Sequence, residues 1–157
     1  MGPVRRKTLR RGRRAAATAP RLLNPAGLSV PRGYSHVADV PAGRTVYVSG
    51  QVAFDAEGNV VGKGDFRAQA ERVFRNLKTA LECVGASFAD LVKITIYVRD
   101  MSQLTTLQDV RESYLGSGPR PASTLVEVNA LVHPDLLLEI EAVAAPGPRF
   151  VNADAIA

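Results

Sequence analysis

At 157 residues the chain is long enough to bury a core without disulfides or a structural metal, and 46% apolar with 22% charged residues is the balance of an ordinary globular domain. One cysteine, Cys83, excludes an intrachain disulfide, and with only two histidines the chain lacks the ligands for a zinc site, so no metal is expected. No apolar run approaches the ~20 residues of a membrane helix, and the net charge of +5 is unevenly spread.

Residues 1–22 hold eight basic side chains (Arg5, Arg6, Lys7, Arg10, Arg11, Arg13, Arg14, Arg21) and no acid. The remainder carries 12 basic against 15 acidic residues, about −3, so the domain itself is mildly acidic and offers no basic patch for nucleic acid. The leader has too few apolar groups to repay ordering entropy and is expected to be disordered. Three readings of it are open: an extension or upstream start, an organellar transit peptide, and a nucleic-acid-binding tail. It lacks the apolar segment of a secretory signal. A lone thiol and no export signal place the protein in the cytoplasm by default.

From Leu23 to Ala157 the chain reads as a single domain with an irregular tail from about residue 146. Arg44–Gly50 is rich in β-branched and aromatic residues and predicts a strand. Gln51–Phe54 extends it, and Asp55-Ala56-Glu57-Gly58 supplies a turn before Asn59-Val60-Val61, predicting a hairpin. Phe66, Ala70, Val73, Leu77, Ala80, Leu81 and Val84 form an apolar stripe that predicts a helix over Asp65–Val84. Gly85 is its stop. Cys83 lies in this pattern and is read as a buried structural thiol.

Leu91–Val98 predicts a strand with Val92, Ile94, Ile96 and Val98 on one face. A second helix runs from about Ser102 to Leu115, with Leu104, Leu107 and Val110 inward, and ends at Gly116-Ser117-Gly118-Pro119. Strands at Ser123–Asn129 and Leu136–Ala144 complete an order close to β-β-α-β-α-β-β. That order describes an α+β domain with two helices on one face of a mixed sheet.

Glu139 and Glu141 stand two apart in an otherwise apolar strand and so share a face. Two readings are open: a solvent-facing sheet edge, or carboxylates lining a cleft and able to activate water. Tyr34, after Pro31-Arg32-Gly33, reads in isolation as a loop aromatic packed on the domain. A nucleophilic role for Ser123 needs a base. The only histidines are His36, near Tyr34, and His133, read as an exposed loop residue in the turn before the last strand, and no local signature joins either to Ser123.

Several segments in order and spacing resemble the Rid (YjgF-type) family of reactive intermediate deaminases: Gly33-Tyr34-Ser35, Val48-Ser49-Gly50-Gln51, Gln69 with Asn76-Leu77-Lys78, Gly85-Ala86 with Leu91-Val92-Lys93, Val98-Arg99-Asp100-Met101, Pro121-Ala122, and Glu139-Ile140-Glu141-Ala142. The resemblance covers roughly Val30–Ala144. It implies a chorismate-mutase-like α+β fold, a homotrimer with small-molecule clefts between subunits, and cofactor-free hydrolysis of imines or enamines with release of ammonia. By the same resemblance Glu139 positions the attacking water, Tyr34 and the Ser49-Gly50 backbone line the cleft, and Gln108 stands where the family has asparagine.

One departure is serious. The family motif carries an arginine that grips the substrate carboxylate, and this chain has Ser123 there. A serine cannot reproduce a bidentate, charge-assisted contact, a loss of ~2–4 kcal/mol in a shielded cleft. Poor activity on simple 2-imino acids is therefore expected. Arg120 is a candidate to reach the same pocket, although a residue just before a strand ordinarily faces solvent. Two other classes are weighed: a non-catalytic ligand-binding or chaperone-like trimer, favoured by Ser123, and a ribonuclease, for which only the basic leader speaks.

Overall fold

The computed structural model describes residues 19–147. The predicted leader up to residue 18 and the tail beyond residue 147 lie outside the described residues.

The polypeptide forms β1 (Arg21–Leu23), β2 (Val37–Asp39), β3 (Val46–Gln51), α1 (Phe66–Glu82), β4 (Leu91–Val98), α2 (Leu104–Leu115), β5 (Ala122–Glu127) and β6 (Leu138–Ala144). The main sheet has the order β3-β6-β4-β5, with β4 and β5 parallel and the other pairs antiparallel. This is the mixed α+β sheet with two helices expected from the sequence.

Apolar alternation sorts the two faces. Ile94, Ile96 and Val98 of β4 and Leu138, Ile140, Ala142 and Ala144 of β6 are buried against the helices, together with Phe74, Leu77 and Leu81 of α1 and Leu107 and Val110 of α2. The other face carries Lys93, Thr95, Tyr97, Glu139 and Glu141, with no helix over it among the described residues.

The α1 boundaries follow local chemistry. The Asp65 side chain caps the helix by accepting from Ala68 N–H at 3.0 Å. Gly85, at φ 68°, ends it, and Ala86 N–H donates back to Leu81 O at 2.9 Å. Cys83 does not join the core. It falls on the C-cap, two residues past Leu81 and off the apolar stripe, and its thiol is exposed, donating to Ala80 O.

Two expectations fail at the N-terminal end. The second arm of the Asn59–Val61 hairpin shrinks to a single bridge, Phe54–Val60. The Asp55 carboxylate draws in the N–H groups of Glu57 and Asn59 and winds the segment into a loop, and glycines at 62 and 64, with φ near 71°, turn the chain into α1. Meanwhile Arg21 and Leu22, the last two residues of the predicted leader, belong to β1, which pairs with β2 and ties Arg21 to Asp39. Neither three-residue strand carries a period long enough to read in sequence.

Asp55 is held below its ordinary 3.8, first by the backbone N–H of Asn59. Its contribution to stability is complete above that ordinary value and is lost as pH falls through the lower folded one. Asp55→Asn is expected to flatten the acid limb of the unfolding profile below about pH 4 and to leave the neutral plateau's pH slope unchanged.

Gln69 is the buried polar hinge of the fold, fully inaccessible in the first turn of α1. Its Nε2 donates to Gly62 O (3.2 Å) and Asp135 O (2.7 Å), and its Oε1 accepts from Leu137 N–H (2.9 Å). It thereby fixes both the turn into α1 and the entry to β6. Gln69→Leu leaves one donor and two acceptors without this partner and is expected to lower stability by roughly 2–4 kcal/mol in denaturant unfolding.

Candidate functional site

The register between β3 and β6 breaks once. Val48 pairs with Ala142, and Gln51 pairs with Ile140, so Ser49 and Gly50 together oppose Glu141. This bulge turns Gly50 toward the uncovered face, beneath the side chain of Glu139. A Cβ added at Gly50 would lie 1.7 Å from Glu139 Oε1 and 2.6 Å from its Cδ. Only glycine admits the carboxylate at this place. Helix α1 steadies the segment after the bulge: Asn76 Nδ2 donates to Val52 O and Phe54 O, and Arg72 Nε donates to Phe54 O.

Around Glu139 the sheet supplies further polar groups. Tyr97 of β4 is opposite Glu139, and Thr95 is opposite Glu141. Partial burial, and then the negative charges of Glu141 and Glu139, push the Tyr97 phenol above its ordinary 10.0. The phenol therefore stays protonated at neutral pH and serves as a donor to Glu141. Burial pulls the Lys93 amine below its ordinary 10.5, with Glu141 opposing the shift, and its Nζ donates to Thr124 Oγ1. A shallow hollow of about 350 Å³ lies beside Glu141, lined by Tyr47, Ser49, Lys93, Thr95, Glu141 and Val143, and Glu139 stands outside its lining. Sequence alternation put Glu139 and Glu141 together. Lys93 and Tyr97 were missed, although the same alternation in β4 places them opposite Ile94 and Ile96.

The remaining candidates gather elsewhere. Ser35 N–H donates to Pro121 O at 3.1 Å and forms a parallel bridge with Ala122, so the Tyr34 loop lies beside the start of β5. The Tyr34 ring meets His36 edge-on at 5.2 Å. Ser123 pairs with Ile94 and points to the helix side of the sheet. Gln108 is half-buried on α2, one turn before Arg111. Glu139 and Ser123 thus stand on opposite faces of the sheet, with β4 between their strands.

Arg120 does not face solvent. Its side chain is only 16% exposed and folds back to Glu112 of α2. Arg111, which sequence reasoning passed over, is buried at 8% exposure and reaches the same carboxylate at 3.4 Å. Its guanidinium lies against Gly33, where an added Cβ would stand 2.3 Å from Nη2. An arginine one turn after the inward Leu107 and three residues after Gln108 was the available signal.

No hydrogen bond joins either histidine to Ser123 among the described residues. His36 Nε2 is 2.8 Å from Ser29 O. His133 is half-buried, not an exposed turn residue: its ring packs edge-on against Phe54, and its Nδ1 accepts from Asp135 N–H. Among the described residues no three His, Cys, Asp or Glu side chains are grouped to hold a metal ion, and no helix is long and apolar enough to cross a membrane. A cavity of about 830 Å³ lies between Pro20, Phe88, Tyr114 and Pro119, and none of the candidate site residues lines it.

Fold and geometry together define a small α+β protein with an acid poised over a strand bulge on the uncovered side of a mixed sheet. The chain belongs to the YjgF/Rid family: the family model described as Endoribonuclease L-PSP matches residues 26–146. It is 38% identical over 105 residues to a RutC family protein of Pyrococcus abyssi, covering 67% of this chain and 81% of that protein. It is 33% identical over 120 residues to the 2-iminobutanoate/2-iminopropanoate deaminase of Mus musculus, covering 76% and 85%. The crystal structure of a conserved Rid-family protein of unknown function, YyfB from Yersinia pestis, superposes with a TM-score of 0.74 at 36% identity, covering 81% of this chain and 98% of that one.

Proposed function

We propose that the protein hydrolyses a reactive imine or enamine, releasing ammonia, in a cleft formed between copies of the chain. The observation that carries this reading is Glu139 held over Gly50 by the β3 bulge. A carboxylate in that position can take a proton from water as the oxygen attacks the imine carbon, and return it to the departing amine. Backbone groups at Ser49 and Gly50 and the protonated Tyr97 supply hydrogen bonds around it. Relatives named 2-iminobutanoate/2-iminopropanoate deaminase support the reaction class.

The opposite placement of Glu139 and Ser123 supports the intersubunit part of the reading. A cleft that uses both half-sites draws Glu139 and Gly50 from one copy and Tyr34, Gln108 and Ser123 from the next. A homotrimer meets this requirement with closed symmetry, and light scattering at three times the chain mass of 16.8 kDa is the expected result.

Ser123 leaves the strand position uncharged, so turnover of simple 2-imino acids is expected to be weak. Ser123→Arg is expected to raise kcat/KM on freshly generated 2-iminobutanoate about tenfold or more, read as 2-oxobutanoate formation. No gain would remove the charge argument. The same serine favours the second reading, a non-catalytic ligand-binding trimer. That reading gains if all detected turnover survives Glu139→Ala.

A further inference from the structure

Buried cations are costly unless each is paired, and α2 breaks that rule in a localised way. Arg111 and Arg120 both converge on the single carboxylate of Glu112, leaving one surplus positive charge. Arg111 Nε and Arg120 Nη1 are buried and have no hydrogen-bond partner among the described residues. Unsatisfied buried guanidinium donors carry a full desolvation cost, and an anion within reach would relieve it. The pair also sits at the second half-site. Arg111 packs against Gly33, next to Tyr34, and Arg120 stands three residues before Ser123 at the start of β5.

We propose that Arg111 and Arg120 form a carboxylate-binding pair, the substrate-anchoring charge that position 123 lacks. This rests on the hydrolytic reading for the reaction but not for the binding. The charge stands on α2 and on the turn before β5 rather than in the strand. Glu112 competes for the same donors, so the grip is weaker than that of an unshared arginine. That agrees with weak turnover of simple 2-imino acids and with a gain in Ser123→Arg. Glu112 is a brake on the pair: its side chain is 45% exposed, so it can move off the donors when an anion arrives.

The test is isothermal titration of the full chain with 2-oxobutanoate, and with uncharged 2-oxobutanamide, in low-chloride buffer. Wild type is expected to bind the carboxylate and to prefer it over the amide. Arg120→Gln and Arg111→Met are each expected to weaken the carboxylate roughly tenfold and the amide little. Glu112→Gln is expected to tighten the carboxylate by about threefold to tenfold, a direction that a purely structural staple would not produce. Thermal melts and light scattering identify any variant that has lost its fold or assembly, and Arg120→Gln stands as the test if Arg111→Met does.

Absence of carboxylate binding by wild type, unchanged affinity in folded Arg120→Gln, or weaker binding in Glu112→Gln would each overturn the pair. Imine turnover is read separately. If binding follows the arginines but no imine is hydrolysed, the pair stands and the hydrolytic reading falls. If imines turn over and binding ignores the arginines, the reverse holds.

Discussion

Glu139→Gln is expected to abolish imine hydrolysis, lowering kcat by about 100- to 10,000-fold, the usual range for losing a positioned general base. The substitution keeps the shape of the side chain and its seat above Gly50, so stability and assembly should stay close to wild type. Substrate-like anions should still bind, because the proposed anchor lies on the other half-site. Steady-state ammonia release, with a thermal melt on the same preparation, checks this directly. Retention of more than a tenth of wild-type turnover would show that water is activated elsewhere, with Glu141 the next carboxylate on the same face.

Gly50→Ala tests the same site from the backbone side. The new methyl would stand 1.7 Å from Glu139 Oε1, far inside contact distance, so the carboxylate must swing away. A displacement of that size is expected to cost about 100-fold or more in kcat/KM, because proton transfer depends on near-contact geometry. The decisive comparison is a double-mutant cycle on activity. In the Glu139→Ala background the methyl meets no carboxylate, and Gly50→Ala should then cost almost nothing further. Additive losses would mean that Gly50 serves the site through its own backbone and not by making room for Glu139.

The candidate site was legible in uneven measure. Glu139 and Glu141 were readable as a pair because side chains alternate along a strand, and no tertiary information is needed to put residues two apart on one face. The requirement for glycine at position 50 was not readable in this way. It arises from a register break between two strands about 90 residues apart in sequence, and only their pairing sets Gly50 beneath Glu139. Arg120 was expected to face solvent because it precedes a strand. The chain instead turns it back onto α2, where Glu112 offers a partner. Arg111 escaped notice because an arginine on an amphipathic helix is normally exposed. Here the Tyr34 loop, pinned to Pro121, closes over it through Gly33.

The secondary elements divide in the same way. Helix α1, strand β4 and strand β6 each carry a period long enough to be read unaided, and α1 is also bounded by the Asp65 cap and Gly85. The ribbon of β1 and β2 carries none, and the Asn59–Val61 arm had a hairpin pattern that the Asp55 loop defeated.

By itself the sequence determined the α+β class, the apolar stripes that make the core, the family, and the uncharged residue at position 123. These depend on local periodicity and on motif order, which are written along the chain. The tertiary structure decided which faces those residues occupy: Glu139 on the uncovered side over Gly50, Ser123 on the helix side, and two arginines crowded onto one carboxylate. Such relations arise from strand register and from loops folding back, contacts between residues distant in sequence whose geometry no local pattern encodes.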